Sequence, residues 1–409
     1  MKRTNKYLLN PWTSALVAAG VVSIGSVLQA EEAQNPVMTA LSSTTISGYV
    51  DTSAIWKMGP DTDGAFRDPV SYIFARRYMA KPDTDGAFLP GRLYDNADRM
   101  NQFNLNVVEL NIARPADRTT DWAAGYKVSL LFGPDANLFR STSTLATGVS
   151  DFAIKNAYVD LWLPVQNGLN VKIGVWDTVI GYEVFESGNN PNYSRSYGYY
   201  LEPQVHTGVL ATYQLSDYVT VQGGIANDSN QINYHPSRGK FAYMGAVTLT
   251  APDSFGALSG ATLSGGVVST GRAGLPNTYN YYVGATLPTP IEGLNVGVAF
   301  DYFGTGEYAD DTTQYAYALA GYLTYKVTDQ LKTACRVDWA KSGDPLFGVW
   351  APGNDEVEFL AVTGTIDYAL WANVISRLEF RWDHDLKSSG LVAGMDNAYT
   401  LALNVIYNF

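Results

Sequence analysis

The sequence predicts an all-β protein, a transmembrane antiparallel β-barrel of about 16 strands with short periplasmic turns and long extracellular loops. Segments of about ten residues alternate apolar and polar side chains, as strands do between lipid and water. Beyond the N-terminal leader, the chain lacks the ~20 apolar residues in a row that a spanning helix needs. The last segment, 396–409, ends on Phe409 with Tyr407 two residues earlier, a pattern typical of a strand that meets a membrane interface.

The N-terminus has the layout of a secretory signal peptide. Lys2, Arg3 and Lys6 precede an apolar run at 15–28, and Leu-Gln-Ala at 28–30 precedes two glutamates. We therefore predict a signal peptide at 1–30, cleaved after Ala30, a short segment at 31–43 and a barrel at 44–409. An uncleaved membrane anchor is the alternative. Export with strands in place of apolar helices predicts the outer membrane of a Gram-negative bacterium.

Composition agrees with a barrel that contains water. Charged residues make up 16% of the chain, and the sequence holds 28 tyrosines, 16 phenylalanines, 9 tryptophans and 38 glycines. The formal net charge is −12, and loss of the three basic leader residues would make it −15, which argues against nucleic acid as a partner. The single cysteine, Cys335, excludes an intramolecular disulfide.

The strands can be placed one after another by their two-residue period. In each, apolar side chains recur at every second position, with Lys155 and Ile406 as exceptions. Short connections such as 167–168 and 371–373 predict periplasmic turns, and long ones such as 58–100 and 181–204 predict extracellular loops. The predicted strands lie at about 44–56, 104–112, 124–132, 152–163, 169–175, 205–215, 219–226, 241–250, 261–270, 279–287, 294–302, 315–325, 331–341, 358–370, 374–384 and 396–409.

The segment 374–384 carries a row of charges on one face and apolar side chains on the other. Unpaired buried charges cost several kcal/mol each, so this row predicts a water-filled lumen rather than the dry core of a soluble β-sandwich. With similar charges on the segment 331–341, it supplies the candidate pore-lining residues. A network of salt bridges that only supports the wall is the alternative. The candidates are Lys332, Arg336, Asp338, Arg377, Glu379, Arg381 and Asp383.

The loop 181–204 lies between the fifth and sixth predicted strands and mixes charges with aromatic residues. Folded inward, it would constrict the pore and filter solutes by size and charge. The alternative is an outer loop that caps the barrel or packs on a neighbouring molecule. The candidate constriction residues are Glu183, Glu186, Tyr193, Arg195 and Tyr197.

The long first loop, 58–100, contains the heptapeptide PDTDGAF twice. Paired aspartates before a glycine can place several oxygens around a cation such as Ca²⁺. Two Asx-type turns in a surface loop are the favoured alternative, since neither copy has the distal glutamate of an EF-hand loop. The weak calcium candidates are Asp61, Asp63, Asp83 and Asp85.

Two stretches carry a resemblance to a known family. Residues 192–197, Asn-Tyr-Ser-Arg-Ser-Tyr, followed by His-Thr-Gly-Val at 206–209 and a strand that ends Leu-Ser-Asp at 215–217, resemble the OmpL-like family of β-barrel porins. The resemblance covers about 44–409. It implies an outer-membrane porin fold and passive passage of solutes, without assigning selectivity to individual residues. The first loop, with its repeat, matches no pattern of that family.

The sequence therefore predicts a porin, and neither an enzyme nor a cofactor-binding protein. His384, between Asp383 and Asp385, is the best catalytic candidate, but no nucleophile accompanies it. We expect passive diffusion of small hydrophilic solutes or ions, with an adhesin, receptor or surface-layer anchor as the alternative. The expected partners are outer-membrane lipid, the solutes themselves, the barrel-insertion machinery at the C-terminal strand, and two further copies of the chain in a homotrimer.

Overall fold

A computed structural model of the protein describes residues 44–58, 101–118, 122–139, 151–228, 240–271, 276–306, 314–343, 356–388 and 396–409. These residues form a closed antiparallel β-barrel in which each strand pairs with its neighbours in sequence. The predicted fold class and the count of 16 strands are confirmed. The predicted signal peptide, and the PDTDGAF repeats with Asp61, Asp63, Asp83 and Asp85, lie outside the described residues.

The strands begin and end within three residues of their predicted bounds. They are β1 (Thr45–Met58), β2 (Gln102–Arg114), β3 (Ala123–Phe132), β4 (Phe152–Leu163), β5 (Leu169–Asp177), β6 (Val205–Ser216), β7 (Val219–Ala226), β8 (Ala242–Thr250), β9 (Thr262–Thr270), β10 (Thr278–Pro288), β11 (Leu294–Thr305), β12 (Tyr315–Lys326), β13 (Leu331–Ser342), β14 (Val357–Trp371), β15 (Val374–Asp385) and β16 (Asn397–Asn408).

The barrel closes between its first and last strands. β1 and β16 run antiparallel, with Tyr49 opposite Asn408 and Met58 opposite Tyr399. Gly48 and Phe409 exchange backbone hydrogen bonds of 3.0 and 2.9 Å, so the last residue of the chain is part of the seam. Closure leaves none of the 16 described strands with an unpaired edge, which a membrane interior would not tolerate.

The outer face of the barrel is apolar, with aromatic side chains near both rims. Leu319 at mid-strand is 46% exposed. Aromatic side chains at strand ends form two girdles, a feature of barrels that cross a bilayer. Tyr243, Tyr281 and Tyr399 lie near the ends that carry long loops, and Tyr325, Tyr368, Trp371 and Tyr407 near the ends that carry short turns.

Both exceptions to the sequence pattern have a structural cause. The β3–β4 register shifts between Ser129 and Leu130, so Lys155 is an extra residue in β4 and is buried beside Asn156. Such a bulge turns a side chain to the other face of the strand. Ile406 does face inward with the polar residues of β16, and it lies opposite Ile375 of β15.

Helices are few and short in the described ranges, and none of them is long and apolar enough to cross a membrane. The α-helix α1 (Tyr197–Leu201) and a 3-10 helix (Ser187–Asn189) both belong to the connection between β5 and β6. Two further 3-10 helices, Pro134–Phe139 and Asp253–Leu258, lie in other connections.

Candidate functional site: a loop inserted into the barrel

The connection between β5 and β6 lies inside the barrel. Tyr193, Arg195 and Tyr197 are at most 2% exposed. Asn106 of β2 donates to the Tyr193 hydroxyl, and the Tyr197 hydroxyl donates to Asp383 of β15. We call residues 178–204 the inserted loop. The loop thus lies inward, and its role as a constriction of a pore stays a prediction.

Short-range bonds give the inserted loop its shape. The Asn190 side chain accepts from the Val184 amide at 2.8 Å and donates to the Val184 and Glu186 carbonyls, so it closes a compact turn around the Ser187–Asn189 helix. Ser196 caps α1 by accepting from the Tyr199 amide. These are local alternatives to strand pairing that Asn and Ser readily supply.

Arg336 of β13 is the centre of the contact between loop and wall. Its guanidinium forms ion pairs with Asp338 at 2.9 Å and with Glu183 of the loop at 3.0 Å. It also donates to the Ser194 carbonyl at 2.8 Å and the Arg195 carbonyl at 3.0 Å. The side chain is fully buried. A planar guanidinium with five donors can satisfy such a set of acceptors, whereas a lysine cannot.

Two arginines of β15 hold the loop at other heights. Arg381 pairs with Asp383 at 2.8 Å and donates to the Arg195 carbonyl at 2.5 Å. Arg377 forms a fork with Asp367 and donates to the Asn190 carbonyl at 2.9 Å and to the Ser187 carbonyl. Because β15 begins at a short turn with Val374, the contact at Arg377 lies near the end of the barrel that carries the short turns.

Carboxylates of the wall bind the loop backbone in the same way. Glu379 of β15 accepts from the Tyr193 and Ser194 amides at 2.6 and 2.8 Å. Asp338 accepts from the Tyr197 amide, and Asp383 from the Tyr197 hydroxyl at 2.7 Å. Charge-assisted bonds of this kind are about twice as strong as neutral ones, so they offset much of the cost of burying the charges.

Apolar contacts also hold the loop against the barrel wall. A Cβ built on Gly188 would lie 3.5 Å from Ile406 and 3.6 Å from Ile375, so these two inward isoleucines form a platform under the loop. Tyr182 stacks on Tyr322 of β12 with ring centroids 4.3 Å apart. Ile406, which departs from the polar face of β16, is therefore explained by its contact with the loop.

The opposite side of the interior is polar and only partly covered. On the loop, Tyr182 and Glu186 are half-buried and Asn189 is exposed. Facing inward from β3, β4, β5, β6 and β7 are side chains that remain half-buried. They are Lys127, Tyr158, Lys172, Thr212 and Gln222.

Lys155 joins the loop to this polar side. Its ammonium group lies 2.7 Å from Asp177 and 2.8 Å from Glu186 of the loop. The Asp177 side chain is 43% exposed, whereas Lys155 is almost fully covered. This cluster therefore borders the open part of the interior.

The predicted site residues that the structure describes fall into two groups. Glu183, Tyr193, Arg195 and Tyr197 of the loop are buried in its contact with the wall, together with Arg336, Asp338, Arg377, Glu379, Arg381 and Asp383. Glu186 and Lys332 are half-buried and remain reachable from the interior. The charges of β13 and β15 face the interior of the barrel, where the inserted loop covers them. The sequence led us to expect that this row of charges meets water. In the structure, the charges are instead paired with each other and with the loop.

Sequence reasoning missed Lys155 and the pair Glu202–Asp301. Lys155 left a signal, since it broke the apolar alternation of its strand, but the bulge that explains it depends on the register with β3. Glu202 and Asp301 are 99 residues apart in sequence, and no local pattern brings them together. Within the described ranges, no group of three or more His, Cys, Asp or Glu side chains could hold a metal ion.

The chain matches the model of a known protein family. The family described as "Putative beta-barrel porin-2, OmpL-like" matches residues 43–409. No curated protein matches the chain significantly.

Solved structures with a similar fold are outer-membrane barrels. In-vitro folded OmpT of Vibrio cholerae, in its trimer form, is 12% identical with a TM-score of 0.55, covering 90% of this chain and 99% of that chain. An anion-selective porin from Comamonas acidovorans is 11% identical with a TM-score of 0.56, covering 90% and 99%. Salmonella typhi OmpF, in a complex with daunomycin, is 13% identical with a TM-score of 0.56, covering 90% and 97%. At these identities, the likeness establishes the fold.

Proposed function

Because the chain belongs to the OmpL-like family of β-barrel porins, we propose that it lets small hydrophilic solutes or ions diffuse passively across the outer membrane. The observation that carries this proposal is that the inserted loop covers only one side of the barrel interior. The inserted loop is docked on β11 to β16, while Lys127, Tyr158, Lys172 and Gln222 stay half-buried on the other side. Half-buried polar side chains inside a barrel are typical of a wall that meets water.

The passage we propose runs between the inserted loop and the wall of β3 to β7. Glu186 and Tyr182 border it on the loop side, and Lys172 and Lys127 on the wall side. Lys172 lies 4.9 Å from the centre of the Tyr158 ring, which keeps its charge near the interior surface. Solutes would be selected by the width left beside the loop and by these charges.

Conductance of the refolded mature chain in a planar bilayer tests the proposal. We expect steady current steps and, in a salt gradient, a reversal potential that Lys172→Gln shifts toward cation preference. Lys326→Gln is the matched control, because it removes one positive charge at an exposed turn-side position, where its partner Asp329 is 96% exposed. A folded, inserted barrel without current steps would overturn the proposal.

A second candidate function is a surface adhesin, receptor or anchor without transport. The extent of the loop's contact with the wall favours it, since a loop bound by three arginines could close the barrel. Swelling of sealed vesicles in a permeant solute separates the two functions, because a closed barrel leaves vesicle volume unchanged. We also propose cleavage of the signal peptide, recognition of the last strand by the insertion machinery and assembly as a homotrimer, which cross-linking in detergent would detect.

A further inference from the structure

The end of the inserted loop is held differently from its middle. The stretch 187–195 is bound by Arg336, Arg377 and Arg381, each with a carboxylate partner. Residues 198–204 instead lie against β10, β11 and β12. Asn280 of β10 donates to the Leu201 carbonyl at 2.6 Å, and the buried Glu202 carboxyl group lies beside that of Asp301 in β11.

The two carboxyl groups are enclosed by backbone. Glu202 is 6% exposed and Asp301 is 4% exposed. A Cβ on Gly181 would lie 2.3 Å from Glu202 Oε2, and one on Gly198 would lie 2.2 Å from Asp301 Oδ2. Glycine at both positions therefore lets the loop close over the pair, and water has little access to it.

Within the part of the chain that the structure describes, the charged groups around the pair do not include a cation in contact with it. Glu183 of the loop adds negative charge, and Tyr282 of β10 and Tyr182 of the loop are the other titratable neighbours. Arg336 of β13, the cation of this region, is already bonded to Glu183 and Asp338. Burial, and then the neighbouring Asp301 carboxylate, raise the pKa of Glu202 well above its ordinary value.

A hydrogen bond between two carboxyl groups requires one proton, because two carboxylates are both acceptors and repel each other. We propose that Glu202 and Asp301 share one proton and act as a latch that holds the end of the inserted loop against β11. Loss of that proton to the lumen leaves two adjacent buried anions and releases residues 197–204. Given the proposed function, release would widen the passage.

The direction of the pH dependence follows from the raised pKa of Glu202. An acid whose pKa is higher in the docked state binds its proton more tightly there. Docking is therefore complete at low pH and weakens as pH rises from the ordinary range of a glutamate through the raised pKa. The arginine-bound stretch 187–195 should stay in place over the same range.

Amide hydrogen exchange of the full refolded chain, followed by mass spectrometry, tests the latch without relying on conductance. Wild type and Glu202→Gln are compared at pH 6 and at pH 9, because glutamine can donate to Asp301 at any pH. At pH 9 we expect peptides from 197–204 to exchange at least about threefold faster in the wild type, and at pH 6 equally fast. Peptides from 187–195 are the internal reference, and Asp217→Asn, in an exposed turn, is the control variant.

Equal exchange of 197–204 in wild type and Glu202→Gln at both pH values would overturn the latch. If Glu202→Gln does not fold, Asp301→Asn replaces it in the same comparison, because it changes the member of the pair that lies on β11. Conductance measured on the same samples separates the two proposals. A pH-dependent exchange with no current at any pH would leave the latch in place and remove the porin function.

Discussion

At the scale of single residues, the buried arginines explain how a row of charges can face inward without meeting water. Each guanidinium has a carboxylate beside it on the wall and carbonyl oxygens above it from the loop. Arg336 alone is bonded to Glu183, Asp338 and two loop carbonyls. The charges of β13 and β15 are thus matched to the backbone of one loop.

Arg336→Gln should release the centre of the loop. The change leaves Glu183 and Asp338 buried without their cation, and breaking a buried pair from one side costs about 3–5 kcal/mol. We expect this loss in the free energy of unfolding, measured by urea denaturation in detergent, together with faster amide exchange across 183–197.

Lys326→Gln is the control for this measurement. Its ion pair with Asp329 is solvent-exposed on both sides, and pairs of this kind contribute about 0–1 kcal/mol. Similar losses in the two variants would contradict the central role of Arg336.

At the scale of elements, the alternation of side chains was enough to predict the strands. It succeeded because lipid outside and polar groups inside impose opposite requirements on neighbouring residues. It failed at Lys155, where a bulge changes the phase, and it could not explain Ile406. Both positions depend on residues outside their own strand. Lys155 depends on the pairing register with β3, and Ile406 on its contact with Gly188 of the loop.

The direction of the inserted loop could not be predicted from its composition. Tyrosines and charges suit a surface cap as well as a constriction. The deciding contacts join residues far apart in the chain, such as Tyr193 with Glu379 and Ser194 with Arg336. A single sequence holds no local signal for such pairs.

Shortening the inserted loop should increase conductance. Replacing residues 185–200 by a short Gly-Ser linker removes the helices and aromatic side chains that fill the interior, and the current through a pore grows with its free cross-section. We expect single-channel conductance at least about threefold above wild type, measured in a planar bilayer.

Heat-modifiable migration on gels is the control for this variant, because it reports a folded barrel independently of current. An unchanged conductance in a folded, shortened barrel would mean that the inserted loop does not limit the passage.

At the scale of the whole molecule, one seam makes the barrel continuous. β1 and β16 come from the two ends of the described chain, and their pairing must follow synthesis of all the strands between them. Phe409 takes part with its backbone and with its ring, which lies over Gly48. The aromatic end of the chain therefore belongs to the closure as well as to the membrane interface.

Gly48→Ala should weaken this closure. A Cβ at this position would lie 2.1 Å from the Glu109 carbonyl oxygen and 2.7 Å from the Phe409 ring, so strand β1 must shift from β2 or from the chain end. Overpacking of this kind costs about 1–3 kcal/mol, which we expect as a lower urea midpoint of unfolding. Gly364→Ala is the matched control, because a Cβ there has no atom within 4 Å. Equal midpoints in the two variants would show that the contact of Gly48 with Phe409 does not stabilise the seam.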